Sequence, residues 1–418
     1  MTKDFLIPDL YQSDIIKTVK NARQILDPRK KDRSPSVLDL GPVRFLIPRH
    51  FGFCYGVENA IDIAYRTVEQ HPDKNIYLLS EMIHNPTVNR DLEKRGVRFL
   101  FETDGTEHIP MESLTPDDIV IVPAFGTTVE IQERLERQGI KPYQYDTTCP
   151  FVIKVWNRGR QLGKKGHALV IHGKHLHEET RATFSHSAKE APCVVVLNPE
   201  EAQILADILL EKRPVTDFDI YFGMKSTDGF DAHADLQRFG VINQTTMLAT
   251  ETRQVMEILR NAVIEKYGDA EVEMHFADTS DTLCYATNEN QSATYALLDE
   301  RADMAIVVGG YNSSNTMHLV ELLEERYPTY HIRDASEITS RHEIRHFNQW
   351  DGKVHQTSNW IPKAAEPMTI AITSGASCPD ALVDEVLLKI ANWFEGCHPI
   401  EEVLKPFRRQ ADKAASEP

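Results

Sequence analysis

The sequence lacks several features by which function is often recognised. None of its six cysteines form a C-x-x-C pair, so zinc-finger, thioredoxin-like and bacterial-ferredoxin spacings are absent. It contains no G-x-G-x-x-G dinucleotide fingerprint and no apolar run that approaches the length of a membrane span. The opening stretch "MTKDFLIPDLYQSDIIKTVKNARQIL" has neither the apolar segment of a signal peptide nor the composition of a transit peptide. We therefore expect a cytoplasmic protein with no membrane partner.

Positive charge is also scarce, with 46 Lys and Arg residues against 63 Asp and Glu residues and a net charge of −17. No broad basic surface is available, which disfavours nucleic acid as a main partner. A small anionic ligand is still possible, because it needs only a local site. The 418 residues, 41% of them hydrophobic, are enough for two or three globular domains.

What the chain does have is a repeated strand–loop–helix pattern. Short β-branched runs such as "DDIVIVP", "HALVIHG", "DMAIVVGG" and "MTIAIT" each lead into a polar or glycine-rich loop and then a helical pattern. This repetition predicts an α/β fold with mostly parallel sheets, whose ligands bind beyond the carboxyl ends of the strands. We expect a helix within residues 1–27, a solvated linker after it, a surface insertion at 212–237 and a disordered end from 408 onward.

Three cysteines, Cys54, Cys149 and Cys284, share one context, a loop between a strand-like run and a helix. A helix N-terminus lowers the pKa of a thiol and favours the thiolate that binds metal. Three thiolates with a vacant fourth position suit an iron–sulfur cluster that binds substrate. The competing interpretation is that each is a small buried hydrophobe. That interpretation is preferred for Cys193, in a strand, and for Cys378.

Eight motifs carry a family resemblance across residues 44–394. In chain order they are "GFCYGV", "EMIHNPTVN", "DTTCP", "HEET", "NQTT", "LCYAT", "VVGGYNSSNT" and "TSGASCPD". Together they resemble the 4-hydroxy-3-methylbut-2-enyl diphosphate reductases, in the longer plant and cyanobacterial form with an N-terminal extension. The resemblance implies reductive removal of the allylic hydroxyl, giving isopentenyl and dimethylallyl diphosphate, the last step of the methylerythritol phosphate route to isoprenoids.

The resemblance also implies a fold of three similar α/β domains in a pseudo-threefold trefoil around a central iron–sulfur cluster. Placed on this sequence, the expected parts are an N-terminal extension and linker, three domains that each hold one cysteine of the set, and a C-terminal tail. Their boundaries are 1–42, 43–147, 148–270, 271–396 and 397–418.

Site residues follow from the matching motifs. The resemblance makes Cys54, Cys149 and Cys284 the ligands of one [4Fe–4S] cluster per chain, with the fourth iron open to substrate. It makes His84 and His177 substrate contacts, Glu179 the proton donor, and Thr245 the hydroxyl that contacts the substrate's alcohol and relays the proton. The residues implied for the diphosphate cradle are Ser313, Ser314, Asn315 and Ser377.

One position departs from the short bacterial form, in which a strand ends in Ala-His-Gly and the histidine contacts substrate. Here the sequence is "PAFGTT", with Phe125, which can neither donate a hydrogen bond nor carry charge. The longer form shares this Phe. Lys174 and Thr127 are candidates to replace the lost contact.

Several motifs have a second interpretation. Glu179 and the Ser and Asn residues of "NSSN" are also common helix caps. The segment "HGKHLHEET" crowds His172, His175 and His177, which a loop could gather around zinc, although none are spaced four apart.

Partners and alternative functions complete the expectations. We expect an external ferredoxin or flavodoxin as electron donor, docking on the basic segment with Lys30, Lys31 and Arg33, and a monomer or homodimer. Two alternatives stay open: another three-cysteine trefoil enzyme such as a quinolinate-synthase-like dehydratase, and a non-catalytic iron–sulfur sensor. The absence of a helix-turn-helix pattern or basic strip weighs against the sensor.

Overall fold

The structure is a computed structural model that describes residues 5–277, 279, 282–362 and 367–416, with the backbone alone for 413–416. The strands are β1 (Ser36–Asp39), β2 (Val43–Ile47), β3 (Ile76–Leu78), β4 (Arg98–Phe99), β5 (Ile119–Ile121), β6 (Ala168–His172), β7 (Cys193–Val196), β8 (Phe239–Asn243), β9 (Phe276–Ala277), β10 (Met304–Val308), β11 (Thr329–Ile332), β12 (Ile338–Ser340), β13 (Glu343–Asn348), β14 (Lys353–Ser358) and β15 (Met368–Ser374).

Helices follow most of these strands, as the repeated pattern predicts. They are α1 (Ile15–Leu26), α2 (Tyr55–Gln70), α3 (Pro86–Lys94), α4 (Val129–Arg137), α5 (Pro150–Lys164), α6 (Glu178–Ala188), α7 (Pro199–Leu209), α8 (Asp217–Phe222), α9 (Ala232–Asp235), α10 (Ala249–Tyr267), α11 (Val272–His275), α12 (Tyr285–Leu298), α13 (Ser314–Glu324), α14 (Asp380–Ala391) and α15 (Ile400–Ser416).

The chain forms two compact units, which are described separately. Unit 1 comprises residues 1–58, 84–88 and 286–418, and unit 2 comprises residues 59–83 and 89–285. Unit 1 contains the eight-stranded sheet, in the order β1-β2-β15-β10-β11-β13-β12 with β14 paired to β13. The strands β2, β15, β10 and β11 run parallel, while β1 and the β12–β14 hairpins are antiparallel.

Unit 2 contains two smaller sheets, both entirely parallel. One has the order β4-β3-β5 and the other the order β7-β6-β8-β9. Every residue of β6, β7 and β8 is buried. A parallel strand that is covered by helices on both faces has to be apolar on both sides, which is why these strands appear in the sequence as continuous rather than alternating apolar runs.

The helices that cover the sheets each bury one apolar face. Helix α14 shows the pattern most clearly, with its buried side chains spaced three and four residues apart. These residues are Leu382, Val383, Val386, Leu387 and Ile390. Each fully buried aliphatic side chain contributes about 1.5–3 kcal/mol, so this face is enough to fix α14 on the sheet of unit 1.

The predicted α/β class with mostly parallel sheets is confirmed, and so is the helix expected within residues 1–27. The domain boundaries at 43, 148 and 271 stay predictions, because the division into two units does not follow chain order. Within the described ranges, none of the helices is long and apolar enough to cross a bilayer.

Three local expectations are wrong. The expected linker contains β1, which pairs with β2 and buries Leu38. The end from 408 onward, expected to be disordered, continues α15 as far as Ser416, and Leu404 earlier in the same helix is buried against the core of unit 1. The segment 212–237 is more than a surface insertion, because its Phe218 and Phe222 are buried in the hydrophobic core of unit 2. In each case a few apolar residues within a polar segment find buried positions.

Candidate active site

The three cysteines lie where the sequence predicts, each at the start of a helix. Cys54 immediately precedes α2, Cys149 is the N-cap of α5, and Cys284 immediately precedes α12. The backbone N–H of each donates to a carbonyl in another loop of its own unit: Cys54 to Ala376 at 3.3 Å, Cys149 to Ala124 at 2.9 Å and Cys284 to Thr245 at 3.1 Å. These bonds fix the position of each cysteine backbone and do not involve the thiol.

The acidity of Cys54 differs from the sequence-based expectation. Burial raises the pKa of its thiol, while the N–H groups of Val57 and Gly56 at the start of α2 act in the opposite direction. The helix N-terminus therefore favours the thiolate, as predicted, but desolvation outweighs it when no cation is present.

Two of the remaining three cysteines pack in a hydrophobic core, as expected. Cys193 lies in β7 and Cys378 follows β15, both fully buried, and burial raises the pKa of both thiols. Packing against the core accounts for these residues, and the expectation for both is confirmed. Cys397 is half-buried after α14.

The cysteine set itself spans the two units, since Cys54 belongs to unit 1 whereas Cys149 and Cys284 belong to unit 2. Among the residues described here, no three His, Cys, Asp or Glu side chains are grouped so as to hold a metal ion. Their convergence on one cluster therefore stays a prediction. The donor set fits an iron–sulfur cluster in its chemistry, because all three are cysteine thiols at helix starts.

Unit 1 brings most of the predicted diphosphate cradle together with His84. Ser377 Oγ donates to the His84 carbonyl at 3.2 Å and lies 3.5 Å from Ser313 Oγ. Asn315 Oδ1 accepts the N–H of Ala376 at 2.9 Å, and Ser313 caps α13 by accepting the N–H of Thr316 at 3.3 Å. All the predicted cradle residues are buried: Ser313, Ser314, Asn315 and Ser377. They lie just beyond β10 and β15, at the carboxyl edge of the sheet.

A glycine is required where this loop meets His84. A Cβ atom added at Gly310 would lie 2.3 Å from the His84 carbonyl oxygen, which is backbone and cannot move aside. The close approach lets Asn312, a residue the sequence analysis did not single out, place Nδ2 3.1 Å from His84 Nδ1. Its position inside "GGYNSSN" was the available signal.

Unit 2 joins Glu179 to Thr245. The Thr245 N–H donates to Glu179 Oε1 at 2.5 Å, and the Thr245 hydroxyl donates to Oε2 at 3.0 Å. Both residues are buried, at 2% and 4% exposure. Helix α6 is capped instead by His177, whose Nδ1 accepts the Glu179 N–H at 3.2 Å. Glu179 therefore contacts a different element of unit 2, which a purely capping role does not require, and a hydrogen-bonded path joins it to Thr245.

Thr127 and Lys174, the two candidates to replace the substrate contact that Phe125 cannot make, lie in different surroundings. The Phe125 ring packs edge-on against His177, with centroids 5.8 Å apart. Thr127 lines a cavity of about 280 Å³ together with Ser80 and Glu178. The backbone N–H of Lys174 donates to Gln244 Oε1 at 3.1 Å. Which of them replaces the contact stays a prediction. A cavity of about 710 Å³ between α5, α10 and α11 holds none of the predicted site residues.

The zinc alternative gains no support from the position of its first histidine. His172 is fully buried at the end of β6, and its Nδ1 lies 3.1 Å from Thr252 Oγ1 on α10. His177 is occupied by the cap of α6.

Comparison with known proteins agrees with these motifs. A model of the LytB protein family matches residues 45–391. The 4-hydroxy-3-methylbut-2-enyl diphosphate reductase of Trichormus variabilis is 39% identical over 381 residues, covering 91% of this chain and 89% of that protein. The reductase of the same name from Gloeobacter violaceus is 39% identical over 353 residues, covering 84% and 83%.

Among solved structures, the E-1-hydroxy-2-methyl-but-2-enyl-4-diphosphate reductase from Plasmodium falciparum matches with a TM-score of 0.56 at 21% identity. The match covers 81% of this chain and 85% of that one, and it shows that the two share a fold.

Proposed function

The chain belongs to the LytB protein family, and from that premise we propose that it is a reductase acting on 4-hydroxy-3-methylbut-2-enyl diphosphate. Its products are isopentenyl and dimethylallyl diphosphate, and the reaction is the last step of the methylerythritol phosphate pathway. The proposal is supported by relatives of that name that match over about nine-tenths of the chain. The single structural observation that carries it is a chain of hydrogen bonds in unit 2. The Cys284 N–H donates to the Thr245 carbonyl, and the Thr245 N–H and hydroxyl donate to the Glu179 carboxyl group.

We propose one [4Fe–4S] cluster per chain, held by Cys54, Cys149 and Cys284. When bound, such a cluster would pass on, one at a time, the two electrons that the external donor provides, and it would supply a Lewis acid for the hydroxyl oxygen. The protein's part is to present three thiolates and leave one iron open.

The diphosphate is proposed to bind beyond β10 and β15 in unit 1. In a chain of net charge −17 the anion needs focused donors. Hydroxyls of Ser313, Ser314 and Ser377, the Asn315 amide and the N-terminal N–H groups of α13 supply them without a lysine or arginine. Burial of these residues excludes water and strengthens each hydrogen bond.

The reduction takes up two protons, one on the departing oxygen, which leaves as water, and one on the allyl carbon, and we propose that Glu179 supplies the first. The departing oxygen has to be protonated, and a general acid has to lie within hydrogen-bond reach of it. Thr245 contacts both carboxylate oxygens of Glu179 and so orients that group. His84 and His177 are proposed as further substrate contacts, each held in a defined loop of its own unit.

The electron donor is proposed to be a ferredoxin or flavodoxin that docks on the basic segment after α1. Lys31 and Arg33 are exposed there, and Arg33 forms an ion pair with Glu289 at 3.4 Å. The segment begins at Asp27, whose carbonyl accepts a bond from Arg49, five residues before Cys54. Replacing Lys30 and Lys31 with Ser should slow turnover driven by ferredoxin and leave turnover driven by dithionite unchanged. Equal losses with both reductants would contradict this docking site.

Anaerobic turnover tests the function directly. The reconstituted protein, supplied with dithionite and a viologen mediator, should consume 4-hydroxy-3-methylbut-2-enyl diphosphate and form both products, measured by chromatography. Four iron and four sulfide per chain should accompany activity. Bound cluster without turnover, and without a spectral change on adding the substrate, would favour a sensor or a quinolinate-synthase-like dehydratase instead. Zinc retained in place of iron after cluster loading would contradict the cofactor proposal.

A further inference from the structure

The N-terminal segment of the chain lies along the loop that carries Cys54. We call residues 49–55 the Cys54 loop and residues 5–27 the strap. The contacts run in opposite order along the two segments. They are the Phe5 and Tyr55 rings, with centroids 5.2 Å apart, the Tyr11 and Phe53 rings at 6.0 Å, Lys20 Nζ to the Phe51 carbonyl at 2.8 Å, and Arg49 Nη2 to the Arg23 and Asp27 carbonyls at 3.3 and 3.2 Å.

Lys20 makes three contacts at once through its ammonium group. Its ammonium group donates to the Phe51 carbonyl, forms an ion pair with Asp380 at 2.7 Å and lies 4.2 Å from the centroid of the Phe51 ring. Its side chain is 28% exposed and that of Asp380 is 20% exposed, so the pair is partly shielded from water. An ammonium group in this position fixes the loop backbone and Asp380 at once.

The same contact joins two loops of the candidate site. Asp380 begins α14, immediately after the loop that holds Ser377, and the Cys54 N–H donates to Ala376 in that loop. Gly52 shows how tightly the parts meet, because its φ is +76° and a Cβ there would lie 2.1 Å from Asp380 Oδ1. Displacement of Lys20 would therefore loosen the Cys54 loop and the Ser377 loop together.

The strap is itself firmly attached, so it can act as a rigid support. Asp384 on α14 accepts the N–H groups of Ile15 and Ile16 at 3.1 and 3.2 Å, which satisfies the start of α1. Ile15, Ile16 and Val19 are buried in the core of unit 1 in the same hydrophobic cluster as Phe51. Tyr11 is 2% exposed.

We propose that the strap positions Cys54 for the inorganic cluster, with Lys20 as the main positioning residue. The inference rests on the proposed function, since it takes Cys54 to be a ligand. A loop that is already held in place loses little conformational freedom when its thiolate binds, whereas a mobile loop pays that entropy and releases the metal more readily. The strap therefore acts through the Cys54 loop.

Lys20→Met tests the proposal in the full-length chain. Removing a supporting group behind a metal ligand costs about 10-fold to 100-fold in metal retention, so the variant should lose iron to a ferrous chelator at least about tenfold faster than the parent. In the metal-free chain, Cys54 should also be alkylated faster, while the alkylation rates of Cys149 and Cys284 stay unchanged. Both rates are measurable without turnover, by absorbance and by peptide mass spectrometry.

Two variants control this test. Lys17→Met removes an ammonium group from the same helix, where Lys17 Nζ bonds only locally to Gln12 Oε1 at 3.3 Å, and should behave like the parent. Lys20→Arg retains the charge and should restore slow iron release and slow Cys54 alkylation. If Lys20→Met fails to fold, Tyr11→Leu removes the contact with Phe53 and should raise the same two rates.

The failure of the proposal can be told from the failure of the proposed function. If Lys20→Met matches the parent in both rates while Cys54→Ser loses iron, Cys54 is a ligand and the strap does not position it. If Cys54→Ser retains iron like the parent, the cluster assignment is wrong, and the strap is then judged by Cys54 alkylation alone. Uniformly faster alkylation of all three cysteines would indicate general unfolding and overturn the proposal.

Discussion

Replacing Thr245 with valine isolates one of the two hydrogen bonds that tie it to Glu179. The hydroxyl bond to Oε2, 3.0 Å long, is lost, while the backbone bond to Oε1 at 2.5 Å is retained. The retained backbone bond therefore keeps Glu179 in place, and the variant removes only the hydrogen bond between the Thr245 hydroxyl and the carboxyl group. Because Glu179 is 2% exposed and Thr245 4%, water does not readily take the place of the hydroxyl.

The expected magnitudes follow from burial. Removing a hydrogen bond to a carboxylate costs about 1.5–3 kcal/mol, which corresponds to a loss of about 13-fold to 150-fold in kcat/KM if the cost appears in the transition state. Glu179→Gln removes the general acid itself and should cost about 10²-fold to 10⁴-fold. If the two side chains deliver one proton as a unit, the double variant should be no slower than Glu179→Gln alone.

Viologen oxidation under anaerobic conditions measures all three variants at equal iron content per chain. Thr246→Val is the matched control, since its hydroxyl accepts a bond from Gln244 Nε2 at 2.9 Å, and it should lose little activity. Losses that multiply, so that the double variant shows the product of the two single effects, would refute the coupled path. A normal rate for Thr245→Val would refute it as well.

The remaining predictions concern unit 1. Tyr311→Phe removes the hydroxyl that donates to the buried Glu337, which Arg333 also holds through Nε at 2.9 Å. Losing that bond should lower the free energy of unfolding by about 1 kcal/mol in a urea titration, and an unchanged value would contradict this. Cys378→Ala should retain all its iron and lower the free energy of unfolding by about 1 kcal/mol, because its thiol packs in the core of unit 1 and donates to the Pro379 carbonyl at 3.6 Å; iron loss would make it a ligand. Burial lowers the pKa of His331 to about 4, so the unfolded chain binds a proton at this residue that the folded chain does not between pH 6.5 and 4. His331 should therefore contribute a fall of about 1.4 kcal/mol per pH unit in the free energy of unfolding as pH decreases through that window, and His331→Phe should remove that share of the slope in urea titrations, while His50, whose pKa burial also lowers to about 4, retains its own.

Local patterns predicted the elements that carry the site. The apolar runs of β6, β8, β10 and β15 and the helices after them follow directly from residue type and spacing, because each is determined within a dozen residues. The loops between them place Ser313 and Ser377 at one edge of a parallel sheet, which topology alone makes a shared location.

Elements whose formation depends on distant residues were missed. Strand β1 has only four residues and alternates buried and exposed positions, and its pairing with β2 supplies the missing stability. Helix α15 contains Pro406, a helix-breaking residue in sequence terms, yet Leu404 is buried against unit 1. Tertiary packing outweighs local propensity in both places.

The role of Lys20 could not be predicted for the same reason. One lysine on an amphipathic helix resembles any other solvated charge, and its partners Phe51 and Asp380 lie 31 and 360 residues away. The sign of the Cys54 pKa shift was likewise out of reach. It depends on whether desolvation or the helix N-terminus is the larger effect, which only the packing of the loop decides.

The backbone bonds of the three cysteines form a recurring arrangement that spacing alone did not reveal. Ala124, Ala376 and Thr245 each lie two or three residues beyond the end of a parallel strand, β5, β15 and β8 respectively. Each accepts the N–H of the cysteine that begins a helix. Because the bond is made by the backbone N–H, any residue except proline could form it at the cysteine position, so the arrangement does not require a thiol for folding. Cys→Ser replacements at residues 54, 149 and 284 should therefore abolish iron binding while costing little in the stability of the metal-free chain.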